Sequence, residues 1–420
     1  MPTSTTHPAP APAHLHDDQV IGMLRSGAHA QLLNAFFGDL EYRELSQLAK
    51  LAQTRKRARA TPVFILPGIM GSRLAMKRGR LLDLYWLHPA AIAQGQLLEL
   101  ALPGSPALRP IGVMLPGYLK MKLMLEIAGF KPVLHAFDWR ADLERNARAL
   151  VRDIDRSGAR KVLVVAHSMG GLIARAALRY DKQRRIAKLV QLGAPNSGSF
   201  APVQALRAVY PTVRKIAAMD KLHSAEELAR RVFLTLPGLY QLLPSMQSAG
   251  ELDLFDGQNW PSDLPPDSAL LAHARKVRER LPEADRRCFV IAGAEQETTT
   301  SLTRTADAFT YEIRRAGDGT VPLSRALWDG ARTWYAAQNH GALSFDSNVL
   351  AALVDVLRDG ETDRIPSRTP RSSDEVVRRV SDTELRAQAV HKVDWDSLSL
   401  LSRRRILEPV LTPEFLAPVT

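Results

Sequence analysis

Residues 161–175, Lys-Val-Leu-Val-Val-Ala-His-Ser-Met-Gly-Gly-Leu-Ile-Ala-Arg, constrain the fold more than any other stretch of the chain. An unbroken apolar run passes directly into His167-Ser168-Met169-Gly170-Gly171 and then into a helical pattern. A strand that turns this sharply into a helix brings the two elements close together, so the positions flanking the serine must be small. Ala166, Gly170 and Gly171 meet that demand, with Ala166 standing where glycine is the commoner choice. A serine on such a strained turn has its hydroxyl lifted above the sheet, the arrangement of a nucleophile elbow.

Further runs share the character of the first: Val63–Leu66, Pro132–Phe137, Leu189–Leu192, Cys288–Ile291 and Arg332–Ala336. Short, nearly continuous apolar runs suit strands covered on both faces, the habit of parallel sheets. Helical patterns at 141–157 and 170–186 separate several of them, so the expected class is α/β, a mostly parallel sheet flanked by helices. Two connections, 69–130 and 196–287, are too long for ordinary crossovers and read as cap or lid insertions. The second bunches Leu234, Leu236, Leu239, Tyr240, Leu242 and Leu243 and is helical in pattern. The catalytic domain is thus placed at 61–357. A flexible leader rich in Pro, Ala, Ser and Thr precedes it at 1–18, and a helical segment at 19–60, spaced by Val20, Met23, Leu24, Leu32, Leu33, Phe36 and Phe37. Residues 358–420 read as a loosely structured tail with one helix near 374–390.

A serine hydroxyl needs a base, and the base needs a carboxylate to orient it. In an α/β sheet of this kind the chain order is serine, acid, histidine. Of the histidines after Ser168, His223 and His273 fall in the second insertion and His391 in the tail. His340 follows the last strand directly, where a catalytic loop belongs. The acid is either Asp318, in the turn Gly-Asp-Gly-Thr-Val-Pro, or Glu295 or Glu297 just beyond Cys288–Ile291. Donors for a developing oxyanion come from the amide after the nucleophile, Met169, and from a loop after an early strand. Pro67-Gly68-Ile69-Met70-Gly71 is such a loop, with Ile69 the second donor.

The strings PVFILPGIMGSRL, FDWR, AHSMGG, LGAPNSGS, GDGTVPLSRAL and NHGAL resemble the lecithin:cholesterol acyltransferase-like branch of the α/β-hydrolases, in family order over 61–357. The resemblance implies an α/β-hydrolase fold and the triad Ser168, Asp318 and His340, with an oxyanion amide at the residue after Pro67-Gly68. It gives Asp138-Trp139-Arg140 a structural part beside the site and makes Tyr85-Trp86 an aromatic lid segment. The expected activity is that of a serine acyl hydrolase or acyltransferase on lipid esters, through an acyl-serine intermediate. A non-lipid carboxylesterase or polyester depolymerase would use the same triad. A catalytically silent scaffold would have no physical need to keep all three residues.

Charge narrows the partners. The formal charge is +12, and residues 61–195 alone carry that excess, among them Arg145, Arg148, Arg152, Arg156, Arg160, Arg184 and Arg185. Such a segment either forms solvated helix faces or is drawn to an anionic membrane surface. No nucleic-acid module accompanies it, so nucleic acid is not expected as a partner. Cys288 is the single cysteine, which excludes a disulfide framework and a multi-cysteine zinc site, and the chemistry calls for no cofactor. The N-terminus lacks a basic segment followed by an apolar one, and no run of 18 apolar residues occurs, so a cytoplasmic protein is expected. Nothing in the sequence sets an oligomeric state.

Overall fold

The computed structural model describes residues 15–54, 60–78, 81–104, 108–370, 375–399, 402–403 and 405–406. The chain enters through helices α1 (Asp17–Ser26), α2 (Ala30–Phe37) and α3 (Asp39–Gln53). β1 (Pro62–Leu66) opens the main sheet. β2 (Ser72–Arg78), β3 (Leu81–Trp86), α4 (Pro89–Ala93), β4 (Leu108–Val113) and α5 (Leu115–Ile127) occupy the first insertion. β5 (Lys131–Leu134), α6 (Leu143–Arg156), β6 (Val162–His167), α7 (Met169–Tyr180) and β7 (Ile186–Leu192) then alternate. The second insertion holds α8 (Ala201–Leu206), α9 (Pro211–Met219), α10 (Ala225–Arg231), α11 (Pro237–Tyr240) and α12 (Ser268–Glu279). After it come β8 (Cys288–Gly293), β9 (Gln296–Arg304), β10 (Phe309–Gly317), α13 (Leu323–Ala326), β11 (Arg332–Ala336), α14 (Ser347–Asp359), β12 (Arg378–Ser381) and α15 (Asp382–Ala387).

The six apolar runs are the six strands of one parallel sheet, in the order β11-β8-β7-β6-β1-β5. Their alternating side chains feed two cores, as a period of two requires. Phe64, Leu66, Val162, Val164 and Val290 point toward α6 and α7, packing with Leu143, Leu150 and Leu172. Val63, Ile65, Val165, Val190 and Ile291 point the other way, onto Tyr118, Met121 and Leu125 of α5 and Leu350 and Leu353 of α14. A third core joins α1–α3 to the outer side of α5 through Leu24, Leu33, Leu45, Leu115, Leu119 and Leu123. α5 is therefore a middle layer, buried on both sides. Among the described residues, no helix is long and apolar enough to cross a membrane.

The structure departs from the sequence expectations in four places. β5 ends at Leu134, because the chain leaves the ladder and Phe137 gives its amide to the Ser72 hydroxyl instead. The helical pattern expected to reach 186 stops at Tyr180, and β7 begins at Ile186. The first insertion, expected as a cap or lid, folds as the antiparallel sheet β3-β2-β4, followed by α5 beneath the main sheet. The tail is packed over its described part. β12 extends a second antiparallel sheet, β12-β10-β9, and the helix expected over 374–390 is limited to Asp382–Ala387. Leader residues 1–14 and tail residues 371–374, 400–401, 404 and 407–420 lie outside the described residues. The leader's last residues are anchored, with Lys122 of α5 holding Asp17 and Asp18 at 2.5 and 3.0 Å.

Candidate active site

Ser168 sits between β6 and α7 with φ 54° and ψ −124°, a left-handed conformation that a serine adopts only when its surroundings impose it. Two close approaches impose it here. A side chain at Gly170 would come within 2.4 Å of the Pro67 carbonyl oxygen, and one at Gly171 within 2.3 Å of the Ala194 Cβ. The helix start is thus pressed against the loops after β1 and β7, and only glycine fits.

The structure brings Ser168, His340 and Asp318 together. The Ser168 hydroxyl lies 2.8 Å from His340 Nε2, and His340 Nδ1 lies 2.7 Å from Asp318 Oδ2. Exposures of 7% for Ser168, 4% for His340 and 1% for Asp318 leave only the serine end of the row near open space. Since a carboxylate only accepts, Nδ1 carries the hydrogen and Nε2 is free to accept from the serine. Asp318 is itself fixed. Its Oδ1 accepts from the amides of Thr320 at 2.9 Å and Val321 at 2.7 Å, and its carbonyl accepts the His340 amide at 2.7 Å. The other candidate acids are elsewhere: Glu295 is exposed at a positive φ of 65°, and Glu297 pairs with Arg315 at 3.7 Å.

Ile69 lines the cavity above Ser168, and its amide has no hydrogen-bond partner among the described residues. Met169 is the first residue of α7, so its amide has no acceptor within the helix. The Gly68 backbone stands hard against Ser168, since a Cβ there would meet the Ser168 Cβ at 3.0 Å.

The cavity encloses about 1170 Å³, its open mouth included, and is walled by Ile69, Met70, Trp86, Leu87, Met114 and Trp139 on one side. Val213, Phe233, Leu236, Leu239 and Leu242 of the second insertion close the other. Trp86 is a fixed wall rather than a lid. It is buried, donates its indole N–H to the Met70 carbonyl at 2.7 Å, and meets Trp139 edge to face at 5.3 Å. Tyr85 is buried beside it and does not line the cavity. Asp138 and Arg140 form a paired clasp at 2.9 Å that fixes the loop carrying Trp139. His223 pairs with Asp220 and His273 with Asp142, both within the cap and its seam.

Two residues at the site carried no assigned role in the sequence. Burial, and next the neighbouring His340, push the ring of His167 down to about 3. Its Nε2 lies 2.8 Å from the His340 carbonyl and its Nδ1 lies 2.8 Å from the Tyr118 hydroxyl. His167 stands inside the elbow motif and could have been noticed there. Tyr118 carries no local signal.

A parallel sheet with a serine at its strand–helix turn, a histidine after its last strand and an acid on the preceding loop defines an α/β-hydrolase. Within that class, residues 121–264 match the family model of lecithin:cholesterol acyltransferase. The match supports an ester hydrolase or acyltransferase. No curated protein matches the chain. Among solved structures it is similar to a chain of the Tle4–Tli4 complex, at 13% identity and a TM-score of 0.46, covering 71% of this chain and 98% of that one. It is also similar to the mature lipase BlEst2 of Bacillus licheniformis, at 13% identity and a TM-score of 0.37, covering 72% and 94%. Phospholipase PlaB from Legionella pneumophila is similar at 12% identity and a TM-score of 0.37, covering 73% and 61%.

Proposed function

We propose that the protein is a serine acyl hydrolase or acyltransferase acting on lipid esters through an acyl-serine intermediate. The observation that carries this reading is the hydrogen-bonded row Ser168–His340–Asp318 at the floor of a deep apolar cavity. Ser168 Oγ attacks the ester carbonyl as His340 Nε2 takes its proton, while Asp318 holds the imidazole through Nδ1 and stabilises its charge. The amides of Ile69 and Met169 receive the negative charge that develops on the carbonyl oxygen. The protonated Nε2 then gives its hydrogen to the departing alcohol. Water or a second alcohol, relieved of its proton by the same nitrogen, releases the acyl group from the serine.

Leu236, Leu239, Leu242, Phe233 and Val213 offer a carbonyl bound at Ser168 an apolar wall and no charged group, which suits a long acyl chain. The basic excess of residues 61–195 adds attraction to anionic lipid, screened beyond about 8 Å at physiological salt. In this reading a fluorophosphonate probe labels Ser168, and Ser168→Ala abolishes both labelling and hydrolysis, with kcat falling about 10⁴- to 10⁶-fold and the circular-dichroism spectrum retained. Rates on an ester series rise toward long acyl chains, and recovery on anionic vesicles falls as salt increases. Activity that survives in Ser168→Ala defeats the nucleophile assignment. A preference for short, water-soluble esters replaces the lipid by a non-lipid ester, and equal recovery on neutral vesicles removes the electrostatic part.

A further inference from the structure

A continuous row of hydrogen bonds links Gly68 to His340 beside Ser168. Tyr118 on α5 places its hydroxyl 2.8 Å from the Gly68 amide and 2.8 Å from His167 Nδ1, and His167 Nε2 reaches the His340 carbonyl at 2.8 Å. The direction of every bond follows from the ends. A carbonyl only accepts, so Nε2 of His167 carries its hydrogen. With the ring held neutral by burial, Nδ1 is then a lone pair and the Tyr118 hydroxyl donates to it. The tyrosine oxygen is left to accept the Gly68 amide. Burial also raises the Tyr118 hydroxyl above its ordinary value, so it keeps its hydrogen. Each member has one partner in each direction, and none carries charge.

The row joins the loops that follow β1 and β11, strands that belong to one sheet but do not pair with each other. One end is Gly68, whose following residue is the Ile69 amide. The other is the main chain of His340, the residue facing the serine. We infer that Tyr118 and His167 are a neutral positioning pair that sets the separation between the Pro67–Ile69 loop and His340 around Ser168. They move no proton in the reaction. This inference rests on the reading of Ser168 as nucleophile. The first insertion thereby contributes to catalysis from beneath the sheet through Tyr118, as well as through the cavity wall.

The experiment compares wild type, Tyr118→Phe, His167→Gln and the double variant. The readouts are ester turnover, the binding of a long-chain alkyl boronic acid and the binding of the free fatty acid. Fluorophosphonate labelling of Ser168 in the wild type is the first arm and tests the underlying reading alone. Given labelling, Tyr118→Phe is expected to lower kcat about 10- to 100-fold, the scale of a displacement of about 1 Å at reacting groups. KM and fatty-acid affinity should stay within about twofold. Boronic-acid affinity should fall in proportion to kcat, because it reports transition-state complementarity. The double variant should be no slower than the slower single variant, since both break one row. The pH–rate profile keeps its shape. Wild-type kcat in Tyr118→Phe, an effect confined to KM, or multiplying effects in the double variant overturn the inference while labelling keeps the nucleophile assignment intact. Should His167→Gln not fold, Tyr118→Phe with the boronic acid decides the matter alone.

Discussion

The two oxygens of Asp318 have different duties, and that division predicts what an isosteric change does. Oδ1 is claimed by two amides, which can only donate, so Asp318→Asn keeps its carbonyl oxygen there and turns its NH2 toward His340 Nδ1. The imidazole must then accept at Nδ1 and carry its hydrogen on Nε2, where it can no longer accept from Ser168. A loss of about 10⁴ in kcat is expected with little change in thermal midpoint, and Glu295→Gln should be near wild type. Equal effects of the two would dissolve the assignment of the acid. His167 carries a second residue-scale prediction, of pH dependence. Its ring lies at about 3 when folded, against about 6.5 in an unfolded chain. Between those values the unfolded state binds a proton that the native state refuses. Its contribution is therefore complete above pH 6.5 and is lost as pH falls toward 3, by up to about 1.4 kcal/mol per unit. Urea midpoints followed from pH 7 to 4.5 should decline less steeply in His167→Gln than in wild type, and parallel declines would refute the point. Ser168 and His340 could be found in the sequence because strand, turn and loop order carry their own local signals, whereas Asp318 is set apart from Glu295 and Glu297 by the family resemblance. The Tyr118–His167 contact spans 49 residues and exists only once α5 lies beneath the sheet, so nothing near either residue announces it.

At the scale of elements, the legible parts were those buried on both sides. The strands of the main sheet are apolar throughout because helices cover both faces, and such runs stand out in a sequence. β2, β9 and β10 escape the same reading. Gln296–Arg304, QETTTSLTR, buries only the adjacent Thr298 and Thr299, one on each face, so no apolar alternation marks it and its pairing is fixed by its partner. The C-terminal strand β12 is shorter still, with Val380 opposite Tyr311. The contact that matters most for function lies between elements, where α7 begins against the end of β1. An added methyl in Gly170→Ala would overlap the Pro67 carbonyl and the Leu66 side chain, at 2.4 and 2.9 Å. Leu66 is held in the sheet and Pro67 follows it directly, so α7 must shift, and with it Ser168. A stability loss of about 1–3 kcal/mol is expected, together with a fall in kcat larger than that of Gly22→Ala, where the space is open. Chemical denaturation and ester kinetics on the two variants check this, and equal outcomes would mean the close approach is not strained.

In the whole molecule, the described part of the C-terminal segment is tied across the cap rather than left loose. Arg207, fully buried in the link between α8 and α9, holds Asp382 Oδ2 at 2.8 Å and Asp263 at 2.6 Å. Asp382 also accepts from the Tyr311 hydroxyl at 2.6 Å and the Phe309 amide at 3.2 Å. Further along, Lys392 donates to the carbonyls of Ala217, Asp220 and His223 at the end of α9, and the Val393 amide to that of Ala218. The opposite side of this same stretch supplies Ala205, Tyr210, Thr212 and Val213 to the cavity. The described tail thus braces from outside a wall that, in the proposed reading, faces the acyl chain from inside. Asp382→Asn keeps the shape and removes the charge, leaving Arg207 with Asp263 alone, itself partly exposed. A destabilisation of about 3 kcal/mol is expected, at the low end for breaking a buried pair because one carboxylate remains. If the wall loosens as well, KM should rise for long-chain esters and stay constant for short ones, which do not reach it. Urea unfolding gives the first quantity and a chain-length series the second. An unchanged midpoint would show that Arg207 needs only Asp263, and a KM change independent of chain length would separate the tail from the cavity wall.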